Sequence, residues 1–190
     1  MAYKDTVITV RFDEIMLKGY TGFDKKDPDK YFKEHPKAKK PPMESLWKKN
    51  RLGLIPSINT FINCSSRPIQ NTWEQHLKEY CEYCMIHQGI KHDFIGECVV
   101  VVVQFKPTKA KSDVNNVYTK PFIDAMVERE LLQEDNYTVV RLHQEYAVVD
   151  KQDPHSEIRI YPISEVYKID FVLKHIAKDI EELESKYNRG

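Results

Sequence analysis

Cysteine, glycine and long hydrophobic runs are all scarce in this chain of 190 residues, and neither sign of charge is in excess. Four cysteines are too few for a disulfide scaffold of this size and read as reduced thiols. None of the six glycines stands in a Walker or dinucleotide arrangement, which argues against ATP-driven or nicotinamide chemistry. Lys and Arg number 29 against 29 acids, so no global field draws the chain to nucleic acid or to a membrane, and any such partner must be met by a local patch. The longest apolar run, Cys98 to Val103, has strand length, far short of the roughly 20 residues of a membrane-spanning helix. The first residues lead straight into a strand-like pattern without the apolar core of a secretory signal. A cytoplasmic protein that makes no use of a membrane is the expectation.

What is present is an alternation of strand and helix patterns. Thr6 to Phe12 places Ile8, Val10 and Phe12 on one face of a half-buried strand. From Asp24 to Arg51 there are ten Lys or Arg residues against five acids, with four prolines and few apolar side chains. This segment reads as a basic, extended or mobile insertion, either a solvated loop or an arm that meets phosphates. Its aromatic residues could stack on unpaired bases or pin it to the body. A helix capped by Asn71 or Thr72 runs to about Gln88, where Gly89 stops it, and Trp73, Leu77, Tyr80, Cys81 and Cys84 form its apolar face. Phe94 to Phe105 holds five consecutive valines, Val99 to Val103, and suits a central strand covered on both faces.

Pro121 is tolerated only in a first turn, so a second helix starts near Thr119 and runs to Leu132. Its core stripe is Phe122, Ile123, Met126, Val127 and Leu131. Thr138 to Val149 and Glu157 to Tyr161 are strands able to pair with the valine strand. A last helix, capped by Ser164, reaches about Tyr187. In it Val166, Ile169, Leu173, Ile176, Ile180, Leu183 and Tyr187 recur in a heptad seam, which either packs on the chain's own sheet or docks on a second subunit or another protein. The fold class is therefore α/β (α+β), with a mixed sheet of about four or five strands, two packed helices, the basic insertion and an extra C-terminal helix. Residues 1–163 form the domain, with the insertion at about 24–51, and 164–190 the heptad helix.

Acidic and amide side chains flank the second helix: Asp113, Asn115 and Asn116 before it, Glu134 and Asp135 after it, with Asp124 in its middle. Oxygen-only donors of this kind suit a hard cation such as Mg²⁺ or Mn²⁺. Lys120, four residues before Asp124, could balance negative charge developing on a phosphate.

The order of these residues resembles the hallmark of the RusA-like family of Holliday junction resolvases, in which an Asp-x-Asp-Asn cluster precedes a lysine, then Asp-Ala-Leu on a helix, then an Asp-Asp turn. Here Lys120, Asp124-Ala125-Met126 and Glu134-Asp135 follow that order, preceded by Pro56-Ser57-Ile58-Asn59, a helix entered through Trp73-Glu74, a hydrophobic strand and a Lys-Pro turn. The resemblance covers about 56–161 and is most specific over 113–135. It implies a RusA-like fold, a homodimer, branched DNA as substrate and Mg²⁺ (or Mn²⁺) at the active site. Carried over, Asp113, Lys120, Asp124 and Asp135 are the catalytic residues. Asp113 and Asp135, with Asn115, Asn116 and Glu134, are the metal-site candidates. Candidate DNA contacts are Lys37, Lys39, Lys40, Lys48, Lys49, Arg51, Arg67, Lys109 and Lys111. The chain departs from the pattern at Asn115, where the family has its second aspartate, at Glu134, and in an Asn-to-Lys interval longer by one residue. The alternative is a catalytically degenerate relative, a DNA-binding or protein-binding adaptor of a phage or mobile element, with the C-terminal helix as a protein-docking element.

Two further patterns carry less. Cys81, Cys84 and His87 have metal-ligand spacing but equally the spacing of a buried helix stripe, and the stripe is the reading adopted. His143 and His155 read as strand-face or loop histidines without carboxylate companions.

Overall fold

A computed structural model of the chain describes residues 6–11, 18, 24, 26–39, 54–59, 67–91, 95–108, 117–163 and 170–187. These form four strands and four helices in the order β1 (Thr6–Val10), α1 (Pro28–Glu34), α2 (Arg67–His87), β2 (Cys98–Lys106), α3 (Lys120–Glu128), β3 (Val140–Val149), β4 (His155–Pro162) and α4 (Asp170–Tyr187). The strands make one mixed sheet in the order β1-β4-β2-β3. β4 is antiparallel to both β1 and β2, whereas β3 runs parallel to β2. The parallel pair follows from α3, which supplies the crossover between β2 and β3. The class is mixed α/β, and no helix among the described residues is long and apolar enough to cross a membrane.

The valine strand is central and buried on both faces, as a run without alternation requires. Cys98, Val100 and Val102 join Ile8, Val10, Ile158 and Ile160 under Trp73, Leu77, Tyr80, Phe122 and Met126, so α2 and α3 cover one face. Val99, Val101, Val103, Phe105 and Tyr161 point the other way, where Leu183 of α4 packs on them. Of the C-terminal heptad, Leu183 packs on the chain's own sheet, and polar side chains of α4 tie the helix there. Asp179 accepts from Tyr146 Oη at 2.6 Å and Arg159 Nη1 at 2.8 Å, and Lys186 meets Asp150 at 3.5 Å. Ile180, however, stays 42% exposed. Ser164, Val166 and Ile169 lie outside the described residues, as do the side chains of Leu173, Ile176 and Tyr187.

Several boundaries move. α2 starts at Arg67, not at Asn71 or Thr72, because Pro68 is accommodated in its first turn. α3 ends at Glu128, not Leu132, and Leu131 and Leu132 are buried beyond it. The basic segment is not extended throughout: Pro28–Glu34 is helical, though none of these seven residues is buried. Residues 40–51 and Phe12 lie outside the described residues. β2 begins at Cys98, with Ile95 forming only an isolated bridge to Leu132.

α2 and α3 end in the same motif, one with the residue expected there and one without it. After α2, Ile90 N–H bonds Met85 O, Gly89 N–H bonds Ile86 O, and Gly89 is left-handed at φ 66°. After α3, Leu131 N–H bonds Met126 O, Glu130 N–H bonds Val127 O, and Glu130 is left-handed at φ 57°. Both are Schellman closures, where a side chain disfavours the left-handed residue. Glu130→Gly is therefore expected to raise unfolding free energy by about 1 kcal/mol in urea titration. Gly89→Ala should lower it by about the same amount, from backbone strain alone, since an added Cβ meets nothing within 4 Å.

The β1 edge is closed by a side chain. Gln88 Oε1 accepts from Thr9 N–H at 2.9 Å and Gln88 Nε2 donates to Thr9 O at 2.8 Å, so one amide fills the place of a neighbouring strand.

Candidate functional site

The candidate site is assembled around the start of α3. Ile55 is anchored by two buried polar side chains: its N–H donates to Ser156 Oγ at 2.9 Å, and its carbonyl accepts from Gln104 Nε2 at 3.0 Å. This brings the Pro56-Ser57 segment against the approach to α3, where Ser57 and Val117 form an antiparallel bridge and Tyr118 N–H donates to Pro56 O at 2.8 Å. Val117 N–H also donates to Glu145 Oε2 of β3 at 3.2 Å. The Tyr118 hydroxyl donates to Glu74 Oε1 of α2. Burial, and then the hydrogen bond to Glu74, raise the Tyr118 hydroxyl far above its ordinary value, so it stays protonated.

Lys120 follows as the first residue of α3. Its Nζ donates to both oxygens of Asp124, at 3.0 and 2.8 Å, one helical turn on. The hydrogen bond to Asp124 raises Lys120 above its ordinary value, a small desolvation opposes it, and the charges of Asp124, Asp135 and Glu74 add to it. The Lys120 side chain is 62% exposed, so the cation remains open to an incoming anion. Asp135 reaches this field because the Schellman turn and the buried Leu131-Leu132 fold the chain back beside α3.

Of the sequence-predicted site residues, the fold thus brings Lys120, Asp124 and Asp135 into one electrostatic neighbourhood. Glu134, beside Asp135, is exposed. Asp113, Asn115, Asn116, Lys109 and Lys111 lie outside the described residues, as do Lys40, Lys48, Lys49 and Arg51. Lys37, Lys39 and Arg67 are exposed. Among the described residues no three His, Cys, Asp or Glu side chains are arranged to hold a metal ion. What the described residues offer a divalent cation is donor chemistry and charge: the exposed carboxylates of Glu134 and Asp135, with Lys120 as a counter-charge in the field of Asp135.

Glu74, Tyr118 and Glu145 are residues that sequence reading left out of the site. Glu74 stands next to the buried Trp73, about a quarter-turn round α2 from the core stripe, and helical geometry places it on the flank but does not say which element that flank meets. Cys81 and Cys84 are buried free thiols, with Cys81 Sγ donating to Phe122 O at 3.9 Å, and His87 is exposed and stacked on Tyr83. The two cysteines belong to the core stripe, whereas His87 lies outside it.

His155 requires a correction. It has carboxylate neighbours: Nε2 lies 3.3 Å from Glu157 Oε1, and Nδ1 lies 3.8 Å from Asp153 Oδ2 and 2.7 Å from Asp153 O. Its ring stacks on Phe105 at 4.3 Å. Positions 155, 157 and 159 share one face of β4, so the strand period alone places Glu157 beside it.

Compared with known proteins, the chain matches no family model and no curated protein.

Proposed function

We propose that this protein is a metal-dependent, structure-selective endonuclease with a RusA-like fold, which cleaves Holliday junctions or other branched DNA. The observation that carries this reading is the exposed Lys120 ammonium, fixed by Asp124 and within the field of Asp135, at the start of a helix that crosses between two parallel strands. Lysine in a helix's first turn is opposed by the helix dipole, and α3 has no acid in that turn to offset it. Helix stability therefore gives only a small reason for a cation there, the pair with Asp124 one turn on, whereas phosphate recognition gives a larger one.

Asp135, together with Asp113, Asn115, Asn116 and Glu134, would hold Mg²⁺ or Mn²⁺, which when bound polarises the phosphodiester and activates water. Lys120 would hold the phosphate by charge, and Asp124 would orient Lys120. Two copies related by a twofold axis would deliver the paired nicks that a twofold junction needs. One observation favours a non-cleaving DNA- or protein-binding adaptor instead, the exact balance of 29 basic and 29 acidic residues.

The test is a labelled four-way junction incubated with and without Mg²⁺ or Mn²⁺, beside Asp113→Asn and Asp135→Asn. Metal-dependent paired nicks lost in both variants are expected. Salt-sensitive binding without nicks would replace this reading with the DNA-binding adaptor, and neither binding nor nicks with a protein adaptor.

A further inference from the structure

The carboxylate of Glu74 is directed in a way that its own helix does not explain. Its neighbour one turn on is Lys78, and Glu followed by Lys at this spacing is the favoured helix-surface pair. Lys78 instead pairs with Glu128 at the far end of α3, and Glu74 accepts from Tyr118 just before the near end. Both bonds join α2 to α3, but only the second adjoins Lys120. Thr119, at the N-cap of α3, makes no side-chain capping bond, so the helix start is held by its neighbours. Among the described residues these include Pro56 at the Tyr118 N–H, Glu145 at the Val117 N–H, and Glu74 at the Tyr118 hydroxyl. Tyr118 is 9% exposed and packed in the core, where a phenol requires a partner.

We propose that Glu74 and Tyr118 are a positioning pair: the Tyr118 hydroxyl, held on the Glu74 carboxylate, fixes the start of α3 against α2 and so sets where the Lys120 ammonium stands. The pair acts through Lys120 and touches no substrate. As a role in the reaction it rests on the reading of Lys120 given above. The charge of Glu74 also falls on Lys120, so the pair acts by position and by field together.

Three variants separate these contributions. Tyr118→Phe removes the bond and keeps the charge. Glu74→Gln keeps an acceptor for Tyr118 and removes the charge. Lys78→Met removes a tie between α2 and α3 away from Lys120 and serves as the structural control. Two readouts are taken: steady-state cleavage of a four-way junction in Mg²⁺, and the rate at which acetic anhydride modifies Lys120, followed by mass spectrometry. Tyr118→Phe is expected to lower kcat about tenfold with KM changed less than about twofold, because a displaced charge fails in the transition state more than in binding. Glu74→Gln should lower kcat by less, and Lys78→Met should leave it within about twofold. Lys120 acetylation should quicken in the first two variants and not in the control.

If Tyr118→Phe and Glu74→Gln match Lys78→Met in both readouts, the positioning pair is wrong. Lys120-dependent cleavage that is indifferent to both variants overturns the pair and leaves the nuclease reading standing. The expected acetylation pattern in a protein that cuts no junction supports the pair and overturns the nuclease reading.

Discussion

Lys120→Ala is expected to reduce junction cleavage roughly 100- to 1,000-fold in kcat, the range seen when one preorganised charge or donor aimed at a developing anion is removed. The fold should survive the change. The Lys120 side chain is 62% exposed, and its pair with Asp124 lies along one helix, where such pairs contribute only about 0.3–0.5 kcal/mol. Truncation removes a cation from a helix start whose dipole opposes it, which offsets part of even that small loss. Large loss of cleavage with an unchanged urea midpoint is thus the expected result. Lys120→Arg should recover part of the rate, because it restores charge but not the compact ammonium that Asp124 holds with both oxygens. Equal cleavage by the wild-type and alanine proteins would remove Lys120 from the mechanism.

Arg159→Ala is expected to be the most destabilising of the changes considered, at about 3 kcal/mol in urea unfolding. Arg159 stands on β4 opposite Val101, on the face covered by α4. It pairs with Glu157 at 2.6 Å and Asp179 at 2.8 Å, all three side chains being less than 20% exposed. Removing the guanidinium leaves two carboxylates close together and largely out of water. Asp179 also accepts from Tyr146, so the loss reaches the docking of α4, and hydrogen exchange in α4 should accelerate. Replacing the whole network by apolar residues of similar size should cost far less than this single truncation, since no charge is then left unpaired.

The same network sets an acid dependence. Burial acts to raise the Glu157 carboxyl, but the hydrogen bond from His155 and the charge and hydrogen bond of Arg159 outweigh it and hold the group below its ordinary 4.5. Asp153 is held below its ordinary 3.8, chiefly by its two-pronged pairing with Arg11. A carboxyl depressed in the folded state contributes stability that is present above its unfolded value and is lost as pH falls through the folded one. Stability should therefore fall as pH drops below about 4.5, and the disadvantage of Arg159→Ala should narrow there as the stranded Glu157 carboxyl takes up a proton. Urea midpoints measured between pH 7 and pH 3 check both statements.

The identity of the four strands and of α2, α3 and α4, the central place of the valine strand and the buried stripe of α2 were legible in sequence because each is carried by local periodicity, whereas α1, which buries no residue, was not. Five valines without alternation require cover on both faces, and Gly89 marks a left-handed helix end. Glu130 does the same work after α3 with no glycine to signal it, so the expected helix ran past Glu128 into Leu131 and Leu132, which are apolar and buried but lie beyond the turn. Lys120 and Asp124 were legible as a pair because one helical turn separates them.

The rest of the candidate site could not be read in this way. Glu74 meets Tyr118 across 44 residues, and Val117 meets Glu145 across 28. No period links such positions: the first meeting depends on α2 and α3 sharing one face of the sheet, and the second on the approach to α3 passing over β3. The heptad of α4 is the clearest division between the two levels. Its spacing determined that an apolar stripe exists. That Leu183 of this stripe meets the second face was decided in three dimensions, with Asp179 and Lys186 finding Arg159, Tyr146 and Asp150 beside it, because a pattern fixes the direction of a side chain but not the charge of what stands opposite.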